Sequence, residues 1–299
     1  MKIVNIIGGL GNQMFQYAFA MTLKEKFPDE EVLIDTSHFK HVFIKKFRAS
    51  NLHRGFEIDK LFPKACLPVA TGRQLWRVTH FVPNYALSRL ARKLMPVKPT
   101  ELIQSGEDYY AYNPAVFERD GDCYYEGIWG AVQYRIPIRA KLQQIFAHPD
   151  PDEANADFIR QIENEGSVGM HIRRKDYLQN KALCGICDLD YYRRAIELLL
   201  ADGRPHTFYI FSDSQAWCET NIKPLVGNNR IVMVTHNTGD QSCWDMFLMM
   251  HCQSLVIANS SFSWWGAFLN KRGGRVIAPK KWTNRMAESD VWLPEWERI

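Results

Sequence analysis

Residues 169–177 read GMHIRRKDY, with Arg173 and Arg174 adjacent at the end of an apolar run and His171 and Asp176 flanking them. Neighbouring residues on a strand point to opposite faces, so one arginine addresses a ligand while the other pairs with a carboxylate or shapes the wall. A planar, permanently charged guanidinium suits the oxygens of a diphosphate. A second stretch, NSSFSWWGAFLN at 259–270, follows a buried strand and opens a helix. Behind Asn259, the peptide N–H groups of Ser260, Ser261 and Phe262 then project from a helix N-terminus. Such an end attracts anions through free donors and the helix dipole. The same stretch also fits an ordinary asparagine or serine cap over a tryptophan-rich core. Taken together, the two segments predict a diphosphate held by one of these two arginines and a helix tip. No GxxxxGK[ST] loop occurs, and no obvious DxD pair is placed to hold Mg²⁺ beside the phosphates, so no metal is expected. The protein's own charges must then neutralise the leaving group, which points to nucleotide-sugar transfer.

Two further acids fit a nucleotide. Asp213 ends HTFYIFSD and Asp245 opens CWDMFLMM. A carboxylate accepts hydrogen bonds from the N1–H and N2–H₂ edge of guanine, although each acid also fits a helix cap. Near the start, GGLGNQM supplies Gly9 and Gly11 of a dinucleotide fingerprint, but Met14 stands where the third glycine belongs. Asp35 lies where a ribose-binding carboxylate would sit, so a nicotinamide-dependent oxidoreductase is a rival reading. The glycines fit either a tight turn or a backbone that approaches a ligand, with Asn12 and Gln13 offering amides from the helix start.

The elements that must position these groups alternate in α/β fashion. KIVNII, GGLGNQ, MFQYAFAMTLKEKF and EEVLIDTSHF read as strand over residues 2–7, turn, helix and strand. HPDPDEANAD at 148–157 combines prolines and acids and reads as the boundary between domains 1–150 and 151–299. Beyond it, SVGMHI, HTFYIFSD, RIVMVTH, SLVIAN and RVIAP read as strands separated by helices. The expected architecture is two α/β Rossmann-like halves, with ligands at the carboxyl ends of the strands and the active site in the cleft between them.

Composition narrows the function further. At 299 residues, 46% hydrophobic and net charge +4, the chain can bury sizeable cores and carries no nucleic-acid signature. Its opening apolar run is too short for a signal peptide, so the seven cysteines read as reduced cytosolic thiols, including Cys184 and Cys187 of CGIC. Residues 60–100 contain Lys60, Lys64, Arg73, Arg77, Arg89, Arg92, Lys93 and Lys98 but no acid, with Trp76, Phe81, Tyr85 and Leu90 between them. That region fits a solvated helical face. It also fits a surface attracted to anionic lipid headgroups at the inner face of a bacterial membrane, or to a phosphorylated acceptor.

The sequence resembles the bacterial α1,2-fucosyltransferases of glycosyltransferase family 11. The resemblance rests on IIGGLGNQMFQYAFA, HIRRKDY, FSDS and NSSFSWWGAFLN and spans nearly the whole chain; residues 60–125 carry little of it. It implies a two-domain GT-B fold, a GDP-fucose donor, no cofactor and usually no metal, with inversion at the anomeric carbon. The acceptor it implies is the 2-hydroxyl of a terminal galactose on a glycan. The acceptor then belongs to domain 1–150 and GDP-fucose to domain 151–299. It implies that Arg173, the first arginine after His171 in HxRR, binds the β-phosphate, that Asp245 reads guanine and that Ser260 and Ser261 belong to the phosphate loop. Ser214 stands where the family commonly has a second acid after Asp213. Asp176 is the first candidate for general base and Glu126, in YYEGIWG, the second. Asn12 completes the catalytic set; Trp129 and Tyr134 could stack on sugar faces, although core packing is the commoner role for such residues.

Overall fold

A computed structural model of the chain describes residues 1–40, 55–164 and 166–299. It separates into two compact units, Met1–Ala147 and His148–Ile299.

In the first unit, β1 (Lys2–Asn5), β2 (Val32–Asp35), β3 (Glu101–Ile103) and β4 (Cys123–Glu126) form a parallel sheet in the order β2-β1-β4-β3. β1 is shorter than the apolar run 2–7, because the N–H of Ile7 donates to the Gln16 side-chain carbonyl at 2.8 Å instead of to a strand. Gly8, at φ +84°, makes the left-handed turn that only glycine adopts cheaply, and α1 (Leu10–Lys26) follows at once. α1 is buried almost all round from Leu10 to Leu23, as expected of a helix lacking a wide polar face. The unit also contains α2 (Gly72–Val78), α3 (Tyr85–Leu94) and α4 (Arg139–Ile145).

The second unit holds β5 (Ser167–Ile172), β6 (Thr207–Ser212), β7 (Arg230–Val234), β8 (Ser254–Val256), β9 (Val276–Ala278) and β10 (Glu297–Arg298). All pairings are parallel, in the order β10-β9-β8-β5-β6-β7. Its helices are α5 (Glu153–Asn164), α6 (Leu189–Leu200), α7 (Gln215–Asn221), α8 (Trp244–His251) and α9 (Ser261–Leu269). β5 is buried at every residue, which is why SVGMHI reads as an unbroken apolar run instead of an alternation. The stretch 148–157, read from its prolines and acids as the domain boundary, begins where the two units divide, and α5 starts within it at Glu153, with Asn155 buried. An acid in a helix's first turn complements the dipole, so the same composition also favours a helix start.

The strand order sets the site. The chain lays β5, β6 and β7 outward, and α8 then returns it to the other side of β5, where β8 forms. The order therefore reverses between β5 and β8, the place where open α/β sheets bind ligands beyond their carboxyl ends. Close approach there requires Gly169, since a Cβ would lie 2.7 Å from Leu255 Cδ2 and 2.8 Å from Cys252 Sγ.

Candidate functional site

β5 delivers Arg173 and β8 delivers Asn259 to either side of this reversal point. The Nε of Arg173 lies 2.8 Å from Asp176 Oδ1 and 3.3 Å from Asp213 Oδ2, while its Nη groups have no hydrogen-bond acceptor among the described residues. Burial opposes its charge, but Asp176 and Asp213 outweigh burial and hold the guanidinium above its ordinary pKa. The side chain is 26% exposed, so a held cation still faces outward. Arg174 takes another role: its backbone N–H donates to Asp213 Oδ1 at 2.9 Å and its guanidinium lies 3.9 Å from the Trp217 ring centroid. The alternation argument separated the two arginines and offered the second either a carboxylate or a place in the wall. Its guanidinium packs on an indole, while both carboxylates lie against the Arg173 guanidinium.

The two motifs meet through side chains. Tyr177 donates its hydroxyl to Asn259 O at 3.1 Å and its ring lies 5.9 Å from the Arg173 guanidinium. His171 lies 5.7 Å from the Phe262 ring. Burial first, and the Arg173 charge second, lower the His171 pKa to about 3, so the imidazole is neutral at physiological pH. Its Nδ1 is buried and has no hydrogen-bond partner among the described residues. Asn259 donates to Trp282 O at 3.1 Å and accepts from the Cys187 thiol at 3.5 Å, which fixes the residue ahead of the helix. Burial pushes the Cys187 pKa up to about 12.

α9 then begins with Ser260 in extended backbone as its N-cap and no side-chain cap. The first helical bond is Trp264 N–H to Ser260 O at 3.0 Å. The N–H groups of Ser261, Phe262 and Ser263 are left as donors at the positive end of the helix dipole. Replacing Ser261 by proline isolates this contribution. Proline is tolerated at the first helical position, and Ser260 (φ −132°, ψ 128°) already has the backbone that a following proline prefers. Ser261→Pro is expected to weaken diphosphate binding by about 10–10²-fold with little loss of helix, the effect of one charge-assisted donor. Titration calorimetry with GDP on Ser261→Pro and Ser261→Ala separates the amide from the hydroxyl.

Asp245 sits in the first turn of α8 and accepts from Asn237 Nδ2 at 3.0 Å. Burial pushes its pKa up to about 7 against that hydrogen bond. Asn237 is itself fixed by a reciprocal amide pair with the buried Asn155, at 3.1 and 3.0 Å. Asp213 directly follows β6 and is engaged by both arginines.

The first unit places its candidates less directly. Gly9 is the extended N-cap of α1, and Gly11 lies buried inside the helix, so Gly8 alone supplies the left-handed turn. Gln13 is spent on the fold, donating to Gly8 O and Gly55 O, while Asn12 is only half-buried and its amide makes no hydrogen bond to a described residue. Glu126, at the end of β4, is ion-paired to Arg92 Nε at 2.8 Å, a cation buried against Tyr85 and Tyr124. Asp35 is buried and accepts from Ser37 N, Asn5 Nδ2 and Tyr124 OH, leaving little for the ribose that a nicotinamide enzyme would bind. Trp129 and Tyr134 are fully buried, with Phe19 stacked 4.3 Å from Trp129, so they pack the core and do not meet a sugar face. Trp129 adopts φ 56°, held by Arg135 Nη1 donating to its carbonyl at 2.7 Å.

Sequence reasoning missed Trp217, Asn155 and Asn237, and gave Tyr177 no role although it stands in the quoted motif. Among the described residues, no three His, Cys, Asp or Glu side chains gather as a metal group. The pair in DLD at 188–190 is used locally: Asp188 caps α6 and Asp190 pairs with Arg194 at 2.9 Å. Asp176 also lines an open depression of about 490 Å³ with Gln179, Asn180, Lys181, Asn284 and Arg285.

The model for glycosyl transferase family 11 matches residues 1–299. An alpha-1,2-colitosyltransferase of Escherichia coli is 28% identical over 306 residues, covering 99% of this chain and 98% of the relative. A galactoside alpha-(1,2)-fucosyltransferase 2 of Bos taurus is 26% identical, covering 99% and 78% respectively. Among solved structures, POFUT1 in complex with GDP-fucose superposes with a TM-score of 0.51 at 12% identity, over 93% of this chain and 97% of that one. The last likeness carries the fold alone, two Rossmann-like α/β units of GT-B type.

Proposed function

The chain belongs to glycosyl transferase family 11, and on that premise we propose that it moves L-fucose from GDP-fucose to the 2-hydroxyl of a terminal galactose on a glycan. The observation that carries this reading is Arg173, caged by Asp176 and Asp213 beside the uncapped N-terminus of α9. In the proposed single displacement, the acceptor oxygen bonds to C1 of fucose as the bond from C1 to the β-phosphate oxygen breaks. The electron pair leaves on GDP, where the Arg173 Nη groups and the α9 amides meet the growing charge without a metal. The acceptor proton passes to Asp176, whose Oδ1 is anchored to Arg173 while the side chain stays 36% exposed. Attack from the face opposite GDP inverts the anomeric carbon. The second unit is assigned the donor and the first the acceptor.

The names of the relatives favour a 1,2 linkage and a fucose-like sugar. Colitose is L-fucose without its 3-hydroxyl, so GDP-colitose is the alternative donor. Incubation of the protein with each donor and a panel of galactosides, with and without EDTA, tests the proposal. Fucose appearing on O2 of galactose in both arms is the expected result. GDP-fucose bound but never consumed would make the protein a binding module, and loss of turnover in EDTA would end the metal-free mechanism.

Asp245 is proposed to accept from the guanine N1–H and N2–H₂ edge, contacts that favour its charged form. Because burial favours the protonated form, donor binding must release a proton and weaken as pH falls through about 7. GDP-fucose, whose diphosphate does not titrate in this range, is expected to bind roughly tenfold more weakly near pH 6 than near pH 8. Calorimetry across that range should show the slope in the wild type and a flat profile in Asp245→Asn.

A further inference from the structure

α3 is amphipathic in the inverse sense to a surface helix. Its buried residues are Tyr85, Ser88 and Arg92. Leu87, Leu90 and Leu94, at the i, i+3, i+7 spacing of a single stripe, face solvent at 56%, 50% and 74% exposure. The chain continues this apolar surface through Met95 and Val97, exposed by 51% and 61%, and Trp76 of α2 is 70% exposed. The two pieces are adjacent: Lys98 Nζ donates to Trp76 O at 3.0 Å, and His80 Nε2 lies 2.9 Å from Pro96 O. Arg89 and Lys93 flank the leucine stripe and are exposed, as is Arg73 on α2. No acidic residue occurs from residue 60 to residue 100, and the acids that reach α2 from elsewhere, Asp122 on Arg77 and Glu31 on Gln74, lie away from α3.

We propose that the α2–α3 face of the first unit lies on an anionic phospholipid bilayer, with the leucine stripe, Met95, Val97 and Trp76 in the headgroup–acyl boundary. An exposed leucine stripe costs free energy in water, and a polar, arginine-bearing inner face shows that α3 is not turned outward by default. Charge chooses the occupant. Arg89 and Lys93 beside the leucines, in a helix that contains no acid, complement anionic headgroups and give an interfacial helix its usual composition. Among the described residues no helix is long and apolar enough to cross a membrane, so this is contact in the plane of the interface. The proposal is independent of the donor site and of the sugar transferred.

Flotation of the full chain with vesicles of phosphatidylcholine alone, or with about a third phosphatidylglycerol, tests the proposal. Preferential recovery with the anionic vesicles is expected. The variant Leu87→Gln/Leu90→Gln/Leu94→Gln should lose that recovery, and Arg89→Ser/Lys93→Ser should reduce partitioning by about fivefold per charge removed. These side chains face solvent, so an unchanged thermal midpoint serves as the control for folding. Equal recovery on both vesicle types, or undiminished binding by the leucine variant, would overturn the proposal. So would a concentration-dependent dimer in sedimentation that the leucine variant abolishes, since a second copy would then be the occupant.

Discussion

Replacing Arg173 by alanine is expected to lower kcat by about 10²–10³, the usual effect of removing one preorganised group that meets charge developing in the transition state. The acceptor KM should change little, because the arginine sits at the carboxyl end of β5 beside α9, in the unit proposed to hold the donor. Donor affinity should fall for a second reason. Asp176 and Asp213 both lie against the Arg173 Nε, so alanine leaves two carboxylates without their shared cation, facing a diphosphate. Lysine restores a charge but not the fork and should recover only part of the rate. Adding Asp176→Asn to the alanine variant removes one repelling charge, so GDP should bind the double variant more tightly than Arg173→Ala alone. Single-turnover rates and GDP calorimetry on the three proteins measure both effects. A kcat within a few-fold of wild type would remove Arg173 from the mechanism.

Asp176→Asn is expected to lower kcat by about 10²–10⁴, the range for loss of a general base. The substitution keeps an oxygen that can accept from Arg173 Nε, so the guanidinium should stay in place. The rate should therefore fall while GDP affinity is largely kept. A positioning role gives the opposite split: weakened GDP binding and a smaller loss of rate. Glu126 is the second candidate for base, and its ion pair with Arg92 means that Glu126→Gln also disturbs a buried cation. Thermal stability must accompany any rate measured on it.

The parallel sheets were legible because central parallel strands are apolar at every position, as in SVGMHI and HTFYIFSD. The neighbourhood of Arg173 and the α9 tip was legible for a related reason: each follows a strand, and strand ends in one parallel sheet share an edge. What holds these groups was not legible. Asn155 and Asn237 lie 82 positions apart, and an amide pair leaves no periodic trace in a sequence. The stacking of Arg174 on Trp217 joins β5 to α7 through a contact that neither motif announces. Trp129 and Tyr134 followed the commoner fate of aromatic residues, core packing, with the Trp129 carbonyl tethered by the buried Arg135 in a packed turn. The prolines and acids of 148–157 obscured a helix start, because the same residues serve loops and first turns.

The thiol of Cys187 donates to Asn259 at the threshold of α9, and burial pushes its pKa up to about 12, so the reactive thiolate is scarce there at neutral pH. Alkylating agents and peroxide should therefore react slowly with it. Under the proposed donor site, labelling of this half-buried sulfur should slow further when GDP is added, which makes the cysteine a native reporter beside the helix tip.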